Sequence, residues 1–229
     1  MNTGRACVPA TARDTERCMT DIQIYADCIA RLREHLAIVD AVNDGRVTTG
    51  CADLNAELVA IRFRKALEEL AFASLSANRE QYAAARAGFA TEWNARRMLG
   101  FVKNVNPHFY PIALKEPREI AKGQKHFDLV EDGYLTQQDF ATLYDGNAEV
   151  LHCRNPYASG PFVVAAERST LDWSNRIKTL LRWHFVQLVN VPGVWLVEVP
   201  NEGPVRAFLA MADGNYVFDP SGSKGNSSG

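Results

Sequence analysis

A short polar string at residues 151–157, Leu-His-Cys-Arg-Asn-Pro-Tyr, carries side chains suited to chemistry on an anion. His152 titrates near neutral pH and can act as a general acid or base. Arg154 can bind a phosphate through two N–H groups, and Asn155 can orient a hydroxyl. Pro156 turns the chain there, so these side chains could converge on one substrate, with Tyr157 as a further contact. The alternative is structural: Asn155 caps a helix, His152 lies in the core and Arg154 is solvated.

A second candidate lies on a helix predicted for residues 53–77. Arg62, Ala66, Glu69 and Ala73 recur on one helical face, and the alanines leave room beside the charges. Arg62 and Glu69 could therefore line a cleft or pair across to another helix. An ordinary buried or interfacial salt bridge explains them equally well.

Two arginines follow an indole on the next predicted helix. Arg96 and Arg97 come shortly after Trp93, and an arginine near an indole can stack on a base or bind a phosphate. We therefore assign both to substrate binding, with a solvated helix face as the alternative. His184 falls on the apolar stripe of the last predicted helix and is expected in the core. His35 and the arginine one turn before it are expected to make surface contacts.

Composition excludes several classes of protein. The 229 residues include 25 Lys and Arg against 27 Asp and Glu, and this net charge of −2 argues against a protein that coats nucleic acid non-specifically. Phosphate-loop, dinucleotide-binding and zinc-protease motifs are absent, and the histidines lack metal-ligand spacing, so we expect no metal and no cofactor. Five scattered cysteines indicate a reducing compartment, and no apolar run approaches the roughly 20 residues that span a membrane. The cytoplasm is the expected location.

Apolar residues recur at helical spacing through most of the chain. The first helix is predicted at residues 21–42, where steps of three and four connect Ile22, Tyr25, Ile29, Leu32, Leu36 and Val39. Further helices are predicted at residues 53–77, 78–105, 118–122, 136–154 and 169–190. Asp53 is a candidate cap for the second helix, and the short junction at Asn78 predicts a helical hairpin with the third.

The apolar period changes to two after Pro192. Strands are predicted at residues 194–199, 205–211 and 216–218, joined by Asn-Glu-Gly-Pro and Ala-Asp-Gly-Asn turns. The predicted fold is therefore mostly α, an antiparallel helical bundle with a small C-terminal antiparallel β-meander. Its expected divisions are a loose N-terminal arm at 1–20, the bundle at 21–190, the meander at 191–219 and a flexible Gly/Ser-rich tail at 220–229.

The order of these features resembles the HEPN superfamily of small helical bundles. The likeness lies in residues 61–75, in the helix around residues 93–97 and in the string at residues 152–156. Many HEPN proteins are metal-independent ribonucleases of toxin–antitoxin and phage-defence systems, often dimers with a composite site; others are binding or scaffolding modules. Their signature is an arginine followed, after four to six intervening residues, by a histidine. Arg31 to His35 has three intervening residues, so no catalytic residue follows from motif position.

Two hypotheses from different classes follow. The first is a cytoplasmic HEPN-like ribonuclease that uses no metal. His152 would exchange protons with the ribose 2′-hydroxyl or the leaving oxygen, and Arg154 with Arg62 would stabilise the charge of the transition state. Asn155 and Glu69 would orient these groups. The second is a non-catalytic HEPN-like module that assembles as a homodimer or with a protein partner, through helix faces or an edge strand of the meander.

Overall fold

The computed structural model describes residues 12–85, 94–122, 124–151, 167–188 and 193–210, which form a mostly helical fold with a small antiparallel sheet. The helices are α1 (Ala12–Asn43), α2 (Ala52–Ser76), α3 (Arg79–Ala85), α4 (Ala95–Val105), α5 (Gln137–Leu151) and α6 (Thr170–Arg182). The strands are β1 (Ile112–Ala113), β2 (Arg118–Ala121), β3 (Gln124–His126), β4 (Trp183–Gln187), β5 (Val194–Glu198) and β6 (Arg206–Ala210). The predicted fold class is confirmed. None of the helices in these ranges is long and apolar enough to cross a membrane.

α1 and α2 pack against each other along most of their length and supply much of the core. The six apolar residues predicted for the stripe on α1 are all buried, and each such side chain stabilises the fold by roughly 1.5–3 kcal/mol. On α2, Ala66 and Ala73 are fully buried within the same cluster. Arg31 of α1 pairs with Glu69 of α2, and His35 of α1 lies beside Arg62 of α2, so the two helices run antiparallel.

A glycine and an asparagine shape the loop between α1 and α2: the glycine follows the end of α1, and the asparagine lies in the first turn of α2. Gly45 has φ +71°, a left-handed conformation that glycine adopts without strain. Cys51 occupies the N-cap position of α2 without a side-chain hydrogen bond, so the predicted cap at Asp53 is wrong. Asn55 organises the loop instead, because its Oδ1 accepts hydrogen bonds from the backbone N–H and the hydroxyl of Thr49, at 2.8 and 2.9 Å.

The third predicted helix is divided in the described residues into α3 and α4, and residues 86–93 lie outside them. Two buried asparagines fix the ends of this stretch. The Asn106 amide donates to Asn78 Oδ1 at 2.8 Å and to the carbonyl of Gln187 at 2.9 Å. These bonds tie the start of α3, the end of α4 and β4 together.

α5 begins where the sequence predicts. The Thr136 hydroxyl accepts from the Asp139 N–H at 3.0 Å, and the Asp139 carboxylate accepts from the Thr136 N–H at 3.2 Å. This reciprocal pair satisfies N–H groups that the first turn leaves unpaired. The apolar spacing predicts six inward residues on this helix, of which four are buried: Phe140, Leu143, Tyr144 and Asn147. The other two, Val150 and Leu151, are only partly buried.

The last predicted helix is correct only in its first half. α6 starts at the N-cap Ser169, whose hydroxyl accepts from the Asp172 N–H at 3.1 Å, and it ends at Arg182. The chain then continues directly as β4, which pairs with β1 on one side and β5 on the other. Residues 183–186 are buried on both faces, and a short run that is apolar on both faces is compatible with a helix or a central strand. These residues form a strand because they can pair with a neighbouring strand on each side, β1 and β5.

The sheet has the order β1-β4-β5-β6, with every pair antiparallel. The predicted meander strands at 194–199 and 205–211 are present as β5 and β6, and residues 216–218 lie outside the described ranges. Two of the four strands come from the region assigned to the bundle, so the predicted boundary at 190 is wrong. Cross-strand partners form an apolar row on one face: Ile112, Phe185, Leu196 and Phe208.

Two further predictions are wrong. Residues 118–121 form β2, which pairs with β3 as an exposed hairpin, and do not form a short helix. α1 begins at Ala12, inside the predicted loose arm. Residues 12–20 include one alanine, two arginines, one glutamate and one methionine, which favour a helix, and they extend α1 by about two and a half turns. The predicted tail at 220–229 lies outside the described residues.

Candidate functional site

The polar string that carries most of the predicted chemistry lies beyond the described part of the chain. α5 ends at Leu151, and His152, Arg154, Asn155 and Tyr157 all fall within residues 152–166. Their assignment stays a prediction from the sequence. The other predicted site residues, on α2 and α4, are described.

Glu69 pairs across the helical hairpin. Its two carboxylate oxygens accept hydrogen bonds from the Arg31 Nε and Nη2 at 2.8 and 2.9 Å. The Glu69 side chain is 16% exposed and that of Arg31 is 51% exposed, so the pair closes one side of the α1–α2 contact at the surface. The bidentate geometry is the strong form of an arginine–carboxylate interaction. Of the two predicted alternatives for Glu69, the interfacial salt bridge describes its geometry.

Arg62 lies two turns before Glu69 on α2 and meets a different side chain of α1. Its Nη1 is 3.5 Å from Nδ1 of His35, and both side chains are partly buried. Its Nε is buried and has no hydrogen-bond partner among the described residues. A contact of 3.5 Å is at the outer limit of a hydrogen bond, so a better acceptor would displace it. The Arg62 Nη1 can therefore exchange this long contact for one with an anion, whereas the buried Nε is not exposed to a ligand.

The charges around His35 favour its neutral form. Burial lowers the pKa of His35, and the positive charges of Arg62 and Lys65 lower it further, while Glu69 and Glu34 oppose them. At neutral pH the ring is therefore uncharged, and the lone pair on Nδ1, which faces the Arg62 guanidinium, can accept a proton once that long contact is displaced. A neutral histidine beside an arginine can remove a proton from a hydroxyl while the guanidinium stabilises negative charge. We call Arg31, His35, Arg62, Lys65 and Glu69 the α1–α2 polar cluster.

Cys28 borders this cluster but is chemically inert. The Arg31 Nη2 donates to its Sγ at 3.2 Å. Burial, with a smaller effect of the nearby Glu69, raises the pKa of the thiol to about 12, so the nucleophilic thiolate is not populated at neutral pH. Cys28 is therefore a buried free cysteine that packs as a small apolar residue.

Arg96 and Arg97 occupy the exposed first turn of α4. Arg96 forms an ion pair with Asp145 of α5. The Arg97 backbone N–H donates at 2.9 Å to the side chain of Asn94, the N-cap of the helix. Trp93, which motivated their assignment, lies outside the described residues. Arg96 is therefore paired with α5 and not with the α1–α2 polar cluster.

His184 has the buried role that the sequence predicts, on a strand instead of a helix. Its Nδ1–H donates to the Leu181 carbonyl at 2.9 Å, and its Nε2 accepts from the Tyr25 hydroxyl at 2.8 Å. Complete burial lowers its pKa to about 4. Both ring nitrogens are occupied, so His184 holds α1 to the sheet and is unavailable to a substrate.

The contact between His35 and Arg62 is the functional feature that sequence reasoning missed. The sequence pattern places Arg62 on a charged stripe of one helix and His35 on the surface of another, but it does not predict that they are in contact. The signal was the short loop between α1 and α2: an antiparallel hairpin with a turn near residues 44–51 brings residue 35 opposite residues near 62. Counting outward from the loop would have paired them.

Across the described ranges, no group of three or more His, Cys, Asp or Glu side chains could hold a metal ion. Comparisons with protein-family models, curated proteins and solved structures give no match to this chain. The case for a function therefore depends on the geometry of its own residues.

Proposed function

We propose that this protein is a HEPN-like ribonuclease that cleaves RNA without a metal ion, with the α1–α2 polar cluster as part of its active site. The observation that supports the proposal is the placement of a neutral histidine, His35, beside Arg62, whose guanidinium has a buried nitrogen without a partner among the described residues. The resemblance stated above extends the proposal to a cytoplasmic protein of a toxin or phage-defence system.

The proposed reaction is a transfer within the RNA strand. The phosphodiester displaces the long contact between Arg62 and His35 and binds the guanidinium. The His35 ring then accepts the proton of the ribose 2′-hydroxyl, whose oxygen attacks the adjacent phosphorus. The bond from phosphorus to the 5′ oxygen breaks, leaving a 2′,3′-cyclic phosphate and a 5′-hydroxyl. The leaving oxygen takes a proton from water or from protonated His152.

Arg31 and Lys65 differ in what they contribute. Glu69 occupies one edge of the Arg31 guanidinium, through Nε and Nη2, so we assign Arg31 to positioning the hairpin. Lys65 is exposed and its charge acts on His35, which makes it a second cation near the proposed phosphate. Two cations beside one phosphodiester stabilise the additional negative charge of the transition state.

Cleavage of total cellular RNA and transfer RNA in the presence of a chelator tests the proposal. We expect cleavage by the wild type and a loss of about 100-fold or more in His35→Ala and Arg62→Ala, because each variant removes a general base or a charge partner. His126→Ala is the matched control, since that histidine is exposed on the β2–β3 hairpin and bonded to Asp128 at 3.1 Å. Full activity in His35→Ala with loss in His152→Ala would move the site to the predicted string. No cleavage by well-folded wild type would contradict the proposal.

One observation favours the alternative, a non-catalytic module that assembles with a second copy of itself. β6 is an edge of the described sheet, and its Phe208, the last member of the apolar row on that face, is 49% exposed. Exposed apolar edges of this kind pair with other chains. Light scattering of the wild type and Phe208→Ser tests it: a dimer that becomes a monomer in the variant supports this module, and a monomeric wild type contradicts it.

A further inference from the structure

A cleft of about 440 Å³ opens on the side of the fold where the chain leaves α4 and enters α5. One wall comes from the segment between Pro107 and Ala113, and the other from residues 129, 130, 134 and 136–138. Its size falls within the range of small-molecule sites in proteins, roughly 300–1,000 Å³. None of the groups in the α1–α2 polar cluster lines it.

The walls of the cleft are held in place by hydrogen bonds. The buried Tyr110 hydroxyl donates to the Leu135 carbonyl at 3.0 Å, which joins the two walls. The Val130 N–H donates to the Ala113 carbonyl at 3.1 Å, which joins them a second time. Leu135 N–H also donates to the Arg176 carbonyl at 2.9 Å, anchoring that wall to α6. A ligand would therefore meet a preformed shape, which reduces the entropy lost on binding.

The chemistry of the lining favours a flat, uncharged ligand. No Asp, Glu, Lys or Arg of the described chain lines the cleft, so nothing there neutralises an anion or a cation. Tyr134 and His108 supply aromatic faces next to Pro107. Gln137 and Gln138, both exposed on the first turn of α5, supply amides that can donate and accept hydrogen bonds at one edge of a ligand.

We propose that this cleft binds one nucleobase. Bases bind to proteins by stacking on aromatic rings and by hydrogen bonds to their edges, and glutamine amides suit those edges. The neutral lining fits a base and does not fit a phosphate. The inference rests on the proposed function only for the source of the base, an unpaired residue of the RNA substrate; a free nucleoside presents the same chemistry.

Calorimetric titration with adenosine, guanosine, cytidine and uridine tests the cleft, with ribose as the ligand control. We expect at least one nucleoside to bind with a Kd below about 1 mM, and Tyr134→Leu to weaken it about 10-fold, as stacking on one aromatic ring contributes roughly 1–3 kcal/mol per base. Gln137→Ala/Gln138→Ala should alter the preference among the four bases. Gln124→Ala, on the exposed β3, is the matched control and should bind as the wild type does.

Two further arms separate the source of the base and the dependence on cleavage. A single-stranded oligoribonucleotide that binds more tightly than its fully abasic counterpart in wild type, but not in Tyr134→Leu, indicates an RNA base; nucleoside binding alone indicates a free nucleoside. His35→Ala should bind nucleosides normally. If no nucleoside binds below about 10 mM, or Tyr134→Leu binds as tightly as the wild type, the cleft proposal is overturned, whatever the cleavage assay shows. Nucleoside binding without cleavage would overturn the ribonuclease and keep the cleft.

Discussion

His184 lies on β4 and contacts α1, whereas His35 lies on α1 itself. The two side chains differ in how fully their ring nitrogens are hydrogen-bonded. His184 is fully buried, and both of its nitrogens have partners at 2.8 and 2.9 Å. His35 is only partly buried, and its one described ring contact is 3.5 Å long. Burial lowers the pKa of both rings. Both histidines are therefore neutral, and only His35 has a ring nitrogen that could exchange its contact for one with a substrate.

The largest expected effect is the loss of the buried ring. His184→Ala should lower the free energy of unfolding by about 4 kcal/mol, because it leaves a cavity and removes the partners of the Tyr25 hydroxyl and the Leu181 carbonyl. Denaturant unfolding at pH 7 measures it. Tyr25→Phe is the milder comparison, since it keeps the packing and removes one hydrogen bond. A loss below about 1 kcal/mol in His184→Ala would show that the ring does not hold α1 to the sheet.

Acid should weaken the same region. The pKa of His184 is about 4 in the folded chain and about 6.5 in the unfolded chain, so the unfolded state takes up the proton first as the pH falls. The stability that the neutral ring provides is complete above about pH 6.5 and is lost progressively down to about pH 4, a change of about 3 kcal/mol. The difference in unfolding free energy between wild type and His184→Gln isolates this effect, because both proteins share every carboxylate. A difference that stays constant from pH 7 to pH 4 would contradict it.

The Arg31–Glu69 pair should contribute much less. Arg31 is half-exposed, so solvent screens the interaction, and a coupling of about 0.5–1 kcal/mol is expected. A double-mutant cycle with Arg31→Met and Glu69→Gln measures it, and added salt should reduce it. A coupling above about 2 kcal/mol would place this pair with the buried region and not with the surface.

The smallest expected effect on stability is at His35. Because its contact with Arg62 is long and its ring is partly exposed, His35→Ala should change the free energy of unfolding by no more than about 0.5 kcal/mol. Thermal unfolding of the variant beside wild type gives the value. A large destabilisation would give His35 the structural role that His184 has, and would weaken the comparison on which the proposed site depends.

The helical part of the fold could be predicted because its periodicity has one interpretation. Apolar residues on α1 and α5 recur only at helical spacing, and the Thr136–Asp139 pair begins α5 where expected. Residues 183–188 were ambiguous, since an apolar run fits both a helix and a central strand, and pairing with β1 and β5 decided the outcome. The partners of a strand are distant in sequence, so the local pattern cannot identify them.

The candidate site was predictable in its residue types and not in its contacts. Arg62 and Glu69 were identified from one helical face, but whether each met a substrate or a salt bridge depended on the opposite helix. Glu69 meets Arg31, while Arg62 meets His35 only loosely. The difference comes from the register of the α1–α2 hairpin, which the loop length sets. The register of two packed helices cannot be predicted from their residue types alone.

The most direct test of the central claim is a titration of the His35 ring by NMR, with and without a dinucleotide that lacks the attacking 2′-hydroxyl. Without the dinucleotide, the pKa of His35 should lie below that of an exposed histidine, and Arg62→Gln should raise it by removing a positive charge. With the dinucleotide, the negative phosphodiester should raise the pKa of His35 in wild type. A pKa of His35 that does not move at saturating dinucleotide would contradict the account.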